Sequence, residues 1–194
     1  MDVSVDIPAG SFVGIIGHTG CGKSTLVQHL NGLLSPERGT VSVDGEIMTE
    51  KNRGQLRKKV GLVFQYPEYQ LFEETVAKDI AYGLRKEALS DEEKLTRVLD
   101  AMDTVGLDRE LADRSIYDLS GGQKRRAALA GVIVMHPKYL ILDEPAAGLD
   151  PAGRDEILLH MKKLQQDSGI TVVLVSHSME DIARLEMCIR DRPC

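Results

Sequence analysis

The spacing of apolar residues changes several times along this chain, and each change marks a predicted element. Val3, Val5 and Ile7 alternate with polar residues in "VSVDI", which predicts a half-buried strand closed by the turn "PAGS". "FVGII" is continuously apolar, as a strand covered on both faces would be, and leads straight into a glycine-rich stretch. From Thr25 the spacing becomes helical, with Leu26, Val27, Leu30, Leu33 and Leu34 on one stripe. "TVSVDGEI" predicts a hairpin turning at Asp44-Gly45, and "KKVGLVFQ" predicts a further strand that runs out at Gln65.

Strand signals vanish between Pro67 and Asp118. "ETVAKDIAYGL" and "DEEKLTRVLDAMDTVGL" have helical spacing, the second with Asp91 and Glu92 suited to a helix start. Strand character returns in "YLILD" and "TVVLVS". Between them, "PAGRDEILLHMKKLQQ" opens on Pro151 and stripes Ile157, Leu158, Met161 and Leu164. Apolar strands alternating with helices predict an α/β fold, a mainly parallel sheet flanked by helices. Residues 1–66 and 136–186 form its core, and 67–135 form an inserted helical subdomain. There is no internal repeat.

Composition narrows the function classes. The 194 residues are 42% hydrophobic and 28% charged, with a formal net charge of −6. An acidic chain of this kind is no general nucleic-acid binder, because phosphate-backbone affinity needs a basic field. Its apolar runs are far shorter than the ~20 residues of a membrane span. Three cysteines without paired or metal-like spacing fit a reducing compartment. Any role at a membrane must come through a partner.

The chemistry begins at "GHTGCGKST". Gly17, Gly20, Gly22, Lys23 and Ser24 fit the pattern G-x-x-x-x-G-K-[ST], placed between a strand and a helix as its mechanism requires. The glycines let backbone N–H groups wrap phosphate oxygens; Lys23 reaches the outer phosphates and Ser24 offers a hydroxyl to Mg²⁺. Asp143 and Glu144 end the apolar strand "YLILD", where α/β sheets place their ligands. Adjacent strand residues face opposite ways, so Asp143 suits Mg²⁺ and Glu144 suits an attacking water. Gln65 and His177 follow two other strands, and all three strand ends converge if the sheet is parallel. A second glycine pair, in "LSGGQKRR", opens a predicted helix with a basic run and has the makings of another anion cradle.

Taken in order, "GHTGCGKST", Gln65, "LSGGQ", "YLILDEP", "AGLDP" and His177 resemble the ATP-binding-cassette family over essentially the whole chain. The resemblance implies ATP and Mg²⁺ as cofactors and accounts for the two cradles. Two cassettes would pack head to tail, with Ser120, Gly121, Gly122 and Gln123 of one capping the nucleotide held by Gly17, His18, Thr19, Gly20, Cys21, Gly22, Lys23, Ser24 and Thr25 of the other. It further implies catalytic roles for Glu144, His177 and Gln65, a nucleotide contact from Asp150, and Mg²⁺ held by Ser24, Gln65 and Asp143.

"FQYPEYQLFEETVAKDIAYG", "LSGGQKRRAALAGV" and "GLDPAGRDEI" are similar to the ATPase subunits of energy-coupling factor transporters, bacterial importers of vitamins and metal ions. "QYPEYQLFEETV" and "SHSMED" are nearer to the second of the two paralogous ATPases. Implied partners are a second ATPase in a heterodimer, a membrane coupling subunit and a substrate-binding membrane subunit, with no nucleic acid. The implied location is the cytoplasmic face of the bacterial membrane. Glu68, Gln70, Phe72 and Glu73 would lie near the groove receiving the coupling subunit. The alternatives are a non-transport cassette and an inactive fragment. Against the family pattern, no aromatic precedes Phe12, Cys21 stands where serine is common, and "RLEMCIRDRPC" departs from the family. The expectation is a chain shortened at both ends, with residues 187–194 non-native.

Overall fold

A computed structural model describes residues 3–183. Strand β1 (Phe12–Ile16) leads through the glycine loop into helix α1 (Lys23–Leu30). A short hairpin follows, β2 (Ser42–Val43) and β3 (Glu46–Ile47), then α2 (Arg53–Lys59) and β4 (Val60–Val63). The next elements are all helical: α3 (Val76–Ala81), α4 (Asp91–Thr104) and α5 (Gly121–Ile133), with single 3₁₀ turns between them. The chain then returns to the sheet through β5 (Tyr139–Asp143), α6 (Pro151–Ser168), β6 (Thr171–Ser176) and α7 (Met179–Ala183).

The main sheet has four strands in the order β1-β6-β5-β4, and every pairing is parallel. Parallel pairing points all four C-terminal ends the same way, so the residues that follow them share one edge. Every residue of β6 is buried, and Leu140, Ile141 and Leu142 of β5 expose at most 2% of their surface, which matches the continuous apolar runs of the sequence. Helices cover both faces. Phe12, Leu140, Leu142, Val172 and Leu174 join one apolar cluster with α3, α4, α5 and α6, while Val60, Ile141, Val173 and Val175 join Val27 of α1 in another.

Local chemistry explains most element boundaries. Ser90 and Glu93 form a reciprocal capping box that starts α4, and Ser120 and Gln123 do the same for α5. Pro151 opens α6, and Gly169, at φ 67°, closes it. Asp44 and Gly45 both have positive φ, as a two-residue hairpin turn requires.

Three expectations fail locally. "VSVDI" forms no strand: Val3 and Val5 are 64% and 42% exposed, and the segment runs unpaired beside a cleft of about 990 Å³. Alternation supplies a face, but a strand also needs a neighbour to bond its backbone. Helix α1 stops at Leu30 because Gly32 takes a left-handed φ of 75°, so Leu33 and Leu34 leave the stripe and are exposed. Strand β4 ends at Val63, two residues before Gln65. The expectation for residues 187–194 lies outside the described residues.

Candidate active site

The glycine loop is built around Lys23. Its side chain is buried, and its Nζ donates to the carbonyls of Gly17 at 2.8 Å and His18 at 3.1 Å. The ammonium therefore ties the loop's two flanks together from inside. Gly20 and Gly22 have φ of 84° and 99°, which a side chain would strain, and open space lies where their Cβ atoms would be. His18, Thr19, Gly20, Cys21, Ser24 and Thr25 are exposed on the rim.

Asp143 and Glu144 diverge, though not by simple strand alternation. Asp143 is the last residue of β5 and is 4% exposed. Glu144 turns into a left-handed backbone, φ 50°, while its N–H still bonds to the Val175 carbonyl at 3.0 Å. Burial pushes the Asp143 carboxyl above its ordinary value, and the neighbouring Glu144 charge adds to this. The Ser24 hydroxyl and the Lys23 ammonium oppose the rise. Glu144 faces the other strand ends. Gln65 Nε2 donates to its Oε2 at 3.0 Å, and His177 Nδ1 lies 3.4 Å from the same oxygen.

The donors suit a small hard cation. Among the described residues no group of three or more His, Cys, Asp or Glu side chains is placed to hold a metal unaided. A desolvated carboxylate with the Ser24 hydroxyl near it is instead the kind of partial, all-oxygen set that Mg²⁺ accepts when phosphate oxygens complete its shell.

Ser120, Gly121, Gly122 and Gln123 make no hydrogen bond to the Gly17–Thr25 loop among the described residues. Gln123 N–H donates to Ser120 Oγ at 3.3 Å, and Ser120 N–H donates to Gln123 Oε1 at 2.9 Å. Both arginines of the basic run that follows bond within the chain, and Arg125 is buried. Arg125 pairs with Glu68, and Arg126 pairs with Glu156 and donates to the Gly106 carbonyl. Asp150 is exposed just ahead of α6 and makes no side-chain cap.

Sequence reading missed Arg125 as a site residue. It is 2% exposed and lies between the Gln65 segment and the Glu144 turn. A signal was present: Arg125 falls four and eight residues before Leu129 and Ile133, on the buried stripe of α5. Of the groove residues expected after Gln65, Gln70 and Phe72 line an apolar groove of about 370 Å³ with Leu71, Tyr82 and Met135. Glu68 turns inward to Arg125 instead, and Glu73 is not among the lining residues.

A helix-opening glycine loop beside strand-end carboxylates, on a parallel sheet, is the construction of the P-loop nucleotide-binding proteins. Within that class the chain belongs to the ABC transporter family, whose model matches residues 1–147. It is 58% identical over 187 residues to the energy-coupling factor transporter ATP-binding protein EcfA2 of Clostridium perfringens, covering 95% of this chain and 66% of that protein. Against the EcfA2 protein of Acetivibrio thermocellus it is 52% identical over 199 residues, covering 96% and 71%. The chain thus spans about two thirds of the length of these relatives.

Solved structures agree in fold. The cbiO1 protein of Clostridium perfringens, part of the ABC transporter complex cbiONQ, superposes with a TM-score of 0.87 at 39% identity, covering 94% of this chain and 73% of its own. The ATP-binding cassette MJ0796, in a dimeric post-hydrolysis state bound to ADP and Pi, gives 0.84 at 31% identity, covering 95% and 82%.

Proposed function

We propose that this chain is the ATP-hydrolysing subunit of an energy-coupling factor type importer, binding ATP with Mg²⁺ and acting as one half of a head-to-tail cassette pair. The observation that carries the reading is the meeting of Gln65, Glu144 and His177 at the ends of three parallel strands, on the sheet that carries the glycine loop.

Each residue has a distinct task. Backbone N–H groups of Gly17–Thr25 receive the phosphate oxygens, and the Lys23 ammonium neutralises their charge. Ser24, Gln65 and Asp143 would hold Mg²⁺, which when bound would draw charge from the phosphoryl oxygens. Glu144 accepts a proton from the attacking water, and the Gln65 amide steadies the carboxylate that does so. His177, 61% exposed in its side chain, is open to a γ-phosphate and sits against the same carboxylate oxygen. Ser120, Gly121, Gly122, Gln123 and Asp150 serve the nucleotide of the partner cassette. Ser120 and Gln123 bond to each other in the capping box that starts α5, which leaves the Gly121 and Gly122 N–H groups without an intrahelical acceptor.

In this assignment the partners are a second ATPase of similar fold, a membrane coupling subunit and a substrate-binding membrane subunit. None of the chain's described helices is long and apolar enough to cross a membrane. In the same assignment the chain works at the cytoplasmic face, with residues 67–135 acting as the helical unit that meets the coupling subunit. The groove of Gln70, Leu71, Phe72, Tyr82 and Met135 is its docking surface, and Arg85 and Lys86 supply a basic rim.

Glu144→Gln in the assembled transporter tests the reading. It should retain ATP binding, lose hydrolysis by about a hundredfold or more, and accumulate a nucleotide-sandwiched pair. Wild-type turnover in that variant would refute Glu144 as the base.

A further inference from the structure

Arg125 is an arginine in the interior of the fold, with 3% of its side chain exposed, and arginine is rarely so buried without partners. Its partners here come from two other parts of the chain. Nε and Nη2 donate to Glu68 Oε2 at 3.0 Å and Oε1 at 2.7 Å, a bidentate fork. Nη1 donates to the carbonyls of Pro145 and Ala147, at 3.3 Å and 2.5 Å. The guanidinium carbon also lies 5.8 Å from the centre of the Tyr66 ring.

Those contacts bracket the site. Pro145 follows Glu144 directly, and Tyr66 and Glu68 follow Gln65. Tyr66 and Glu144 are also two of the few non-glycine residues with a left-handed backbone, at φ 55° and 50°. Such conformations persist only where their surroundings fix them from several sides. One guanidinium grips the chain just beyond both of them, at Glu68 and at Pro145.

We propose that Arg125, with Glu68, is a positioning residue that holds the Glu144 turn against the Gln65 segment and so sets the 3.0 Å Gln65–Glu144 contact. It touches neither the Glu144 carboxylate nor the Gln65 amide, and it acts through the backbone on both sides of them. Because Pro67–Gln70 is a single 3₁₀ turn that runs on into Leu71 and Phe72 at the groove, the same link joins the groove wall to the base. The inference rests on the ATPase function proposed above.

Arg125→Lys keeps a positive charge but removes the fork. Glu68→Gln keeps the shape of the acceptor and removes its charge. In the assembled transporter each should lower kcat by about tenfold to a hundredfold, because small misplacements of a reacting group cost that much. KM for ATP and binding of a non-hydrolysable analogue should stay within about twofold, since the glycine loop is untouched. The double variant should be no slower than the slower single one, as expected of two residues acting as a unit. Unchanged kcat in Glu68→Gln, a matching loss of ATP affinity, or additive effects in the double variant would each overturn the proposal. A wild-type complex that does not hydrolyse ATP, or that is indifferent to Glu144→Gln, would refute the ATPase reading itself. If hydrolysis depends on Glu144 but not on Arg125 or Glu68, the positioning inference alone fails.

Discussion

Gln65 and Glu144 lie 79 residues apart in the chain and meet at 3.0 Å, amide nitrogen to carboxylate oxygen. The contact exists because β4 and β5 are parallel neighbours, which sets their C-terminal ends side by side. It also makes Gln65 sensitive in a specific way. Gln65→Ala should lower kcat by about tenfold, the worth of one charge-assisted hydrogen bond. Gln65→Glu should be slower still, since it sets a second carboxylate against the first. Steady-state ATPase assays with parallel nucleotide titrations check both. Equal rates in the two variants would show that the contact is incidental.

Lys23 is bound to the carbonyls of Gly17 and His18, so its loss removes a phosphate partner and also unfastens the loop. Lys23→Ala should weaken ATP binding by about tenfold or more, as measured by calorimetry. The exposed Cys21 thiol should at the same time react faster with a maleimide, because the loop that carries it is less constrained. Unchanged affinity would remove the glycine loop from the nucleotide site.

Ser120 caps its own helix in this chain, and in the proposed dimer it also faces the partner's nucleotide. The two roles can be separated. Ser120→Ala should cost about 1 kcal/mol of stability, the usual worth of an N-cap. Ser120→Asp keeps a good cap and should melt like the wild type, yet it should abolish hydrolysis at the site it covers by placing negative charge against phosphate. Normal turnover of Ser120→Asp in the assembled pair would contradict the head-to-tail arrangement.

Asp44, at the hairpin turn, accepts hydrogen bonds from Lys59 at 3.0 Å, from Tyr139 at 2.7 Å and from Lys138. Hydrogen bonds from Lys138, Tyr139 and Lys59, in that order of weight, hold its carboxyl well below the ordinary value of 3.8. A carboxylate with a depressed pKa adds stability that is complete above its unfolded value and is lost as pH falls toward the folded one. Asparagine tolerates the positive φ of this turn, so Asp44→Asn tests the charge alone. The variant should melt about 2–4 °C lower between pH 5 and 8, and the gap should narrow below about pH 4. A gap that widened on acidification would show that the Asp44 charge does not stabilise the fold.

Several features could be read from residues in order. The strands "FVGII", "YLILD" and "TVVLVS" have continuous apolar runs because they are covered on both faces, and the structure places them as β1, β5 and β6. The Asp44-Gly45 turn and the Pro151 helix start rest on backbone chemistry of one or two residues, and local sequence fixes such things. "VSVDI" shows the limit. Its alternation was real, but strand formation needs a partner that alternation does not name. Leu33 and Leu34 keep the apolar spacing but lie outside α1, because Gly32 decides where the helix stops.

What the sequence determined by itself was the inventory of parts: a glycine loop with its lysine, a carboxylate pair after a buried strand, a polar residue after two more, and a second glycine pair at a helix start. Each is a short segment whose chemistry is complete in its own residues. Tertiary structure decided how those parts bear on one another. The left-handed backbone at Glu144 turns its carboxylate toward Gln65 and His177, while Asp143 stays buried near Ser24. The Arg125 guanidinium reaches Glu68, 57 residues away, and two carbonyls beyond Glu144, from a basic run whose spacing suggested an anion cradle at the helix start. The reason is physical. A buried charge is tolerable only when it meets its partners, and the partners' positions are set by the packing of helix on sheet, which no local stretch of the chain contains.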